Sequence, residues 1–145
     1  GFSHFGIAIM ILGIGLVSSL ESQKELIAFK EKPFELENYK ITYLGEEKNI
    51  AQNFSSDEVS FRVENLNQEF NLIAEKRYYP VSKSIMTEAA IHPSIKEDLY
   101  ISIGDQVEEG WVVKAQLKPF VRLIWLGALI MALGGFLSLF RFKSL

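Results

Sequence analysis

The chain has 145 residues, no cysteine, 48% hydrophobic and 23% charged residues, and a mean hydropathy of +0.13. The lack of cysteine excludes a disulfide framework, Cys-based zinc or iron–sulfur sites, and any thiol chemistry. All 18 acidic residues lie between Glu21 and Glu109, while residues 1–20 and 123–140 contain no Lys, Arg, Asp or Glu. That distribution argues against a simple soluble globule, because about 20 apolar residues suffice to span a bilayer core.

The first element is the uncharged run from Gly1 to Leu20, with glycines at 6, 13 and 15. It reads as a membrane span. A secretory signal peptide is the rival, since Val17-Ser18-Ser19 offers small residues, but there is no basic segment ahead of it and no initiator Met. The missing Met suggests a portion of a larger membrane protein. Gly13-Ile14-Gly15 follows no strand, so it does not read as a nucleotide loop. His4 sits at one end of this run. An ionisable residue at membrane depth is a functional candidate, and imidazole is the usual axial ligand of haem iron. From the residues alone, the reading of His4 as a marker of the membrane interface outweighs the ligand reading.

Residues 21–119 carry 12 Lys and Arg against 18 Asp and Glu. The acidic balance argues against nucleic acid as a partner, which needs a basic stripe, and against docking on anionic headgroups. Short alternating runs predict strands at Tyr39–Leu44, Glu58–Val63, Phe70–Ala74, Leu99–Ile103 and Trp111–Leu117. Val59, Phe61 and Val63 share one face, and Asp57–Ala74 forms one hairpin. Glu46-Glu47-Lys48-Asn49, with Gln52 and Asn53 beyond, reads as a polar loop. The spacing predicts a small antiparallel sandwich or barrel, large enough to bury its own core.

Two segments of this domain are candidate partner surfaces. Glu75-Lys76-Arg77-Tyr78-Tyr79 puts three charges beside two aromatics. It is either a recognition edge or a strand end with a cation–π or salt-bridge arrangement. Met86–Ile91, with Thr87 and Glu88, fits a short helical turn or a strand. His92 precedes Pro93 and reads as an exposed loop histidine, with no metal-ligand partners beside it. No Gly-x-Ser-x-Gly elbow and no carboxylate pair stands out, so catalysis by this chain alone is not expected.

The last element is Leu123–Phe140, 18 uncharged residues between Arg122 and Arg141. It meets the length criterion for a transmembrane helix, with Phe120 and Trp125 at interfacial positions. Ala128 and Ala132, then Gly134 and Ser138, offer small residues at four-residue spacing for close helix approach. The fold class expected is therefore two transmembrane helices flanking a small all-β domain: spans at 1–20 and 120–140, the β domain at 21–119, and a tail at 141–145. The long central loop leaves orientation undecided by flanking charge.

Several strings together resemble one family. In order they are His4-Phe-Gly-Ile-Ala8, Glu75–Tyr79, Met86–Ile91, Asp98-Leu-Tyr100, Lys118-Pro-Phe-Val-Arg-Leu-Ile-Trp-Leu-Gly127 and Met131-Ala-Leu-Gly-Gly135. The chain resembles the C-terminal end of the CcmF family of cytochrome c-type biogenesis proteins along essentially its whole length. The resemblance implies a haem lyase subunit. It would handle haem delivered by a haem chaperone, for attachment to the Cys-x-x-Cys-His thiols of apocytochrome c beside other cytochrome c maturation subunits. It implies a location in the bacterial inner membrane, with the lipid bilayer around both spans. Residues 21–119 would then lie in the periplasm, and Arg141 and Lys143 in the cytoplasm. It also implies that His4 is an axial ligand of a b-type haem. The family's tryptophan-rich segment and its flanking histidines are not in this sequence, and Trp111 and Trp125 lie too far apart to supply it. Two readings stand beside this one: a membrane-anchored structural or interaction domain without haem chemistry, and a transporter accessory subunit.

Overall fold

The structure is a computed structural model that describes residues 1–142, with side chains through residue 138. The side chains of Arg141 and Lys143, and the tail from residue 143, lie outside what it describes. In chain order the elements are α1 (Phe2–Leu20), β1 (Ser22–Phe29), β2 (Pro33–Leu36), β3 (Tyr39–Ile50), β4 (Ser55–Glu64), β5 (Glu69–Tyr79), β6 (Ser84–Glu88), β7 (Ala90–His92), β8 (Glu97–Val107), β9 (Gly110–Pro119) and α2 (Val121–Phe142). Two antiparallel sheets have the orders β1-β9-β8-β7 and β2-β3-β4-β5-β6. The expected class, two apolar helices flanking an antiparallel all-β domain, is the one observed.

The helices form one compact unit with residues 94–98. Both are long and apolar enough to cross a membrane. Neither has an acidic residue in its first turn, and α1 lacks a side-chain N-cap; both are features that helices in water commonly use. The two run antiparallel in close contact. A Cβ built on Gly6 would lie 2.6 Å from Met131 N and 2.7 Å from Gly127 O. One on Gly127 would lie 2.6 Å from Met10 N, and one on Gly13 would lie 2.9 Å from Ile124 N. Backbones this close are the usual use of small residues in lipid. The contact uses Gly127 and Gly134, spaced by seven, while Ala132 and Ser138 are exposed. The four-residue spacing expected from sequence is thus corrected. Seven residues are nearly two helical turns, which keeps both glycines on the seam.

The β domain has its own core. Alternation drives Ile41, Val59, Phe61 and Val63 of one sheet inward against Leu99, Ile101 and Val113 of the other, all essentially without exposure. Val59, Phe61 and Val63 share the inward face as expected, and Ser55–Glu64 with Glu69–Tyr79 forms the expected hairpin. Asn65 Oδ1 closes its turn by accepting from Asn67 N at 2.9 Å and Gln68 N at 3.0 Å.

The expected polar loop over 46–49 is instead strand. β3 continues through a bulge at Leu44 and pairs with β4 as far as Ile50↔Ser55. Polar residues suffice there because the ladder runs past the core, so neither face needs to be apolar. The chain turns only at 51–54, closed by Ala51 N donating to Phe54 O at 2.9 Å. Residues 86–91 are also strand. β6 ends at Glu88 and β7 begins at Ala90 in the other sheet, so the segment crosses between sheets and makes no helical turn.

Candidate functional site

His4 lies in the first turns of α1 and is exposed. Two residues at 3.6 per turn put it about 160° around the helix from Gly6, which faces α2. Its imidazole therefore points away from α2. Phe5, Ile7 and Ile11 are exposed beside it. Among the described residues no group of three or more His, Asp or Glu side chains converges. The setting fits one axial position on a haem iron: a single imidazole on an apolar helix face. It does not supply the opposite position.

The structure brings part of the 75–88 set together. β3, β4, β5 and β6 extend past the core as a four-stranded arm, with Glu75↔Glu88, Lys76↔Thr87 and Arg77↔Met86 in register. On one face Arg77 Nε donates to Glu75 Oε2 at 2.7 Å and Arg77 Nη1 donates to Glu88 Oε1 at 3.0 Å. The guanidinium also lies 5.0 Å from the centre of the Phe54 ring, whose other neighbour is Tyr79 at 5.6 Å. Hydrogen bonding to Glu75 raises the Arg77 pKa further, so the group stays charged. Both arrangements weighed from sequence, cation–π and salt bridge, are present at once.

Lys76, Tyr78 and Thr87 point to the other face, which continues the core side of the sheet. Lys76 Nζ donates to Asp105 Oδ1 at 2.6 Å and to Gly104 O at 3.2 Å. That bond holds the Asp105 carboxyl below its ordinary pKa. Ile50, Tyr78 and Ile85 are exposed on this face and, with Lys48, Asp57 and Lys76, line an open groove of about 430 Å³.

Three features escape sequence reasoning. Glu47, Glu58, Glu75 and Glu88 stand directly opposite one another across four strands, although like charges so placed repel. Arg77 offsets two of them, and Asn49 Nδ2 donates to Glu58 at 2.9 Å. Glu46, assigned by sequence to a loop, clasps the two sheets. It accepts from the buried Trp111 Nε1, from Gln106 Nε2 at 3.1 Å and from Tyr43 OH at 3.4 Å. Burial, then the Glu46 charge, raises the Tyr43 pKa. His92, expected in an exposed loop, ends β7 and stacks on Phe70 with ring centres 3.7 Å apart. Phe70 offers it an aromatic surface across the sandwich, which local sequence does not reveal. Cross-strand register is the signal that would have found the glutamate row; the other two are contacts between the sheets, which register within one sheet does not give.

Comparison with known proteins gives these residues a family setting. Residues 19–119 match the family described as "CcmF C-terminal beta-sandwich". A protein named "Cytochrome c-type biogenesis protein CcmF" from Pseudomonas aeruginosa is 39% identical over 138 residues, 94% of this chain and 21% of that protein. Its namesake from Escherichia coli is 36% identical over 140 residues, 95% of this chain and 22% of that protein. A solved structure titled "Cytochrome c Heme Lyase CcmF" superposes with a TM-score of 0.78 at 16% identity, over 92% of this chain and 23% of the other, and so shares the fold. The chain spans about a fifth of the length of the curated relatives it matches. With more than half of its length inside the family match, this chain belongs to the CcmF C-terminal β-sandwich family.

Proposed function

We propose that this chain acts in cytochrome c maturation as the closing portion of a haem lyase subunit. In this reading α1 and α2 cross the bacterial inner membrane, and residues 21–119 face the periplasm. His4 is one axial ligand of a b-type haem held at the membrane. The single observation that carries the reading is the placement of His4: an exposed imidazole in an uncharged span, on the side of α1 turned away from α2. An ionisable group facing lipid would be costly, so that side is better covered by a ligand than by acyl chains. A haem held there by His4 would supply one-electron redox chemistry: in its ferrous form it could reduce a ferric incoming haem iron, itself becoming ferric. The protein's own part is to hold the imidazole at a fixed height and direction and to exclude water with Phe5, Ile7 and Ile11.

The β domain in this reading is the periplasmic docking body. Its arm, with Glu75, Lys76, Arg77, Tyr78, Tyr79, Thr87 and Glu88, meets the haem chaperone or the apocytochrome c beside the other maturation subunits. Support comes from the arm's shape: two differently decorated faces and a β6 edge with every residue exposed. The test uses full-length protein carrying His4→Ala. The reading expects loss of a b-type absorbance with the protein still in the membrane, and unchanged spectra would sink it. Tyr78→Ala with Ile85→Asp then asks about the arm. Weaker capture of chaperone or apocytochrome is expected, and undiminished capture of both would remove the arm from the proposal.

A further inference from the structure

His4 is bracketed by two backbone contacts. On one side of it, Gly134 meets the chain at Ser3: a Cβ on Gly134 would lie 2.6 Å from Ser3 Oγ, 2.7 Å from Ser3 N and 3.2 Å from Phe2 C. On the other, Gly6 and Gly127 meet reciprocally, each placing a built Cβ 2.7 Å from the other's carbonyl oxygen. Ordinary contact begins near 3.4 Å, and most of the atoms met are backbone, which has no rotamer in which to escape. An added methyl must therefore part or rotate the helices by a large fraction of an ångström, beyond the roughly 0.5 Å tolerance of a working site. The neighbouring Gly135 differs sharply: a Cβ there would meet nothing within 4 Å.

We infer that Gly6, Gly127 and Gly134 are positioning residues that set the height and direction of the His4 imidazole. This rests on the reading of His4 as an axial ligand. Seating residues 3 and 6 against α2 fixes the rotation of α1, so the one imidazole faces outward at one depth. Larger residues would leave the helices paired but turned, and His4 would miss the iron.

The experiment compares Gly134→Ala, Gly127→Ala and Gly135→Ala in full-length protein, with His4→Ala alongside. Low-spin b-type absorbance is read per molecule of accumulated protein, before and after addition of imidazole. Gly134→Ala and Gly127→Ala are expected to lose most of the low-spin signal and to regain it with imidazole, which fills the position His4 has left. Gly135→Ala is expected to match the parent. Loss that imidazole does not restore means the glycines serve only helix packing, and overturns the inference. So does a parental spectrum in both contact variants while His4→Ala loses its signal. If His4→Ala itself keeps the parental spectrum, the ligand reading fails first, and the two failures are told apart.

Discussion

Removing the Glu46 carboxylate should loosen the β domain at one end. In Glu46→Ala the indole N–H of Trp111, a residue only 3% exposed, loses its acceptor. A hydrogen bond to a charged group contributes about 1.5–3 kcal/mol, and a donor left buried costs about 1–3 kcal/mol. Gln106 is exposed and the Tyr43 bond is long at 3.4 Å, so both add little. The expected loss is therefore about 2–3 kcal/mol. For a domain near 100 residues that is about 8–24 °C in Tm. Glu46→Gln keeps an acceptor oxygen and should cost about half as much. The assay is thermal and urea unfolding of the whole chain in detergent, followed by Trp111 fluorescence in a Trp125→Phe background. That substitution leaves Trp111 as the sole indole. A Glu46→Ala midpoint within about 0.5 kcal/mol of the parent, the ordinary range for a surface change, would refute the idea that this clasp joins the sheets.

Phe61→Ala in the same background should cost about 3–5 kcal/mol, because Phe61 is fully buried, with its ring centre 6.1 Å from that of Tyr43, and truncating a buried phenylalanine leaves a cavity; a loss below about 1 kcal/mol would contradict the described core. Glu58→Gln, which removes one of the two inner charges of the glutamate row while leaving an acceptor for Asn49, should stabilise by about 0.2–1 kcal/mol. The gain should shrink with added salt, and a destabilised variant would show that the row is not repulsive. Folding stability should fall at both pH extremes for identifiable reasons. The Asp105 pKa is lower folded than unfolded, so its contribution is present above the ordinary value near 3.9 and lost as pH drops through the lower folded value. Tyr43 is raised, so its contribution is present below about pH 10 and lost as pH climbs through the folded value. Asp105→Asn should blunt the acid limb and Tyr43→Phe the alkaline limb, each checked by unfolding midpoints across pH.

The sequence made the architecture legible where patterning is strong. Two uncharged runs marked the helices, and five alternating segments marked strands whose apolar residues fill the core. It failed where structure depends on register or on partners distant in sequence. The 46–49 segment has no apolar alternation, since beyond the core both faces of the arm meet water, so it looked like a loop. β1, β2, β6 and β7 are edge strands of their sheets or border them, and β2 and β7 are also short; such strands carry little of the core's pattern. For the site, the pairing of Arg77 with Glu75 was readable from two-residue alternation along a strand. The pairing with Glu88 was not, because it needs the β5–β6 register. Glycine spacing announced helix contact but misidentified its residues, since composition does not say which face of a helix meets its neighbour.

The central claim is that His4 holds haem iron from one side, and low-temperature electron paramagnetic resonance of the oxidised full-length protein tests it most directly. The account predicts a low-spin signal in the parent, with the His4 imidazole as one of the ligands. In His4→Ala that signal should convert to high spin and return on adding imidazole. A low-spin signal unchanged by His4→Ala would contradict it.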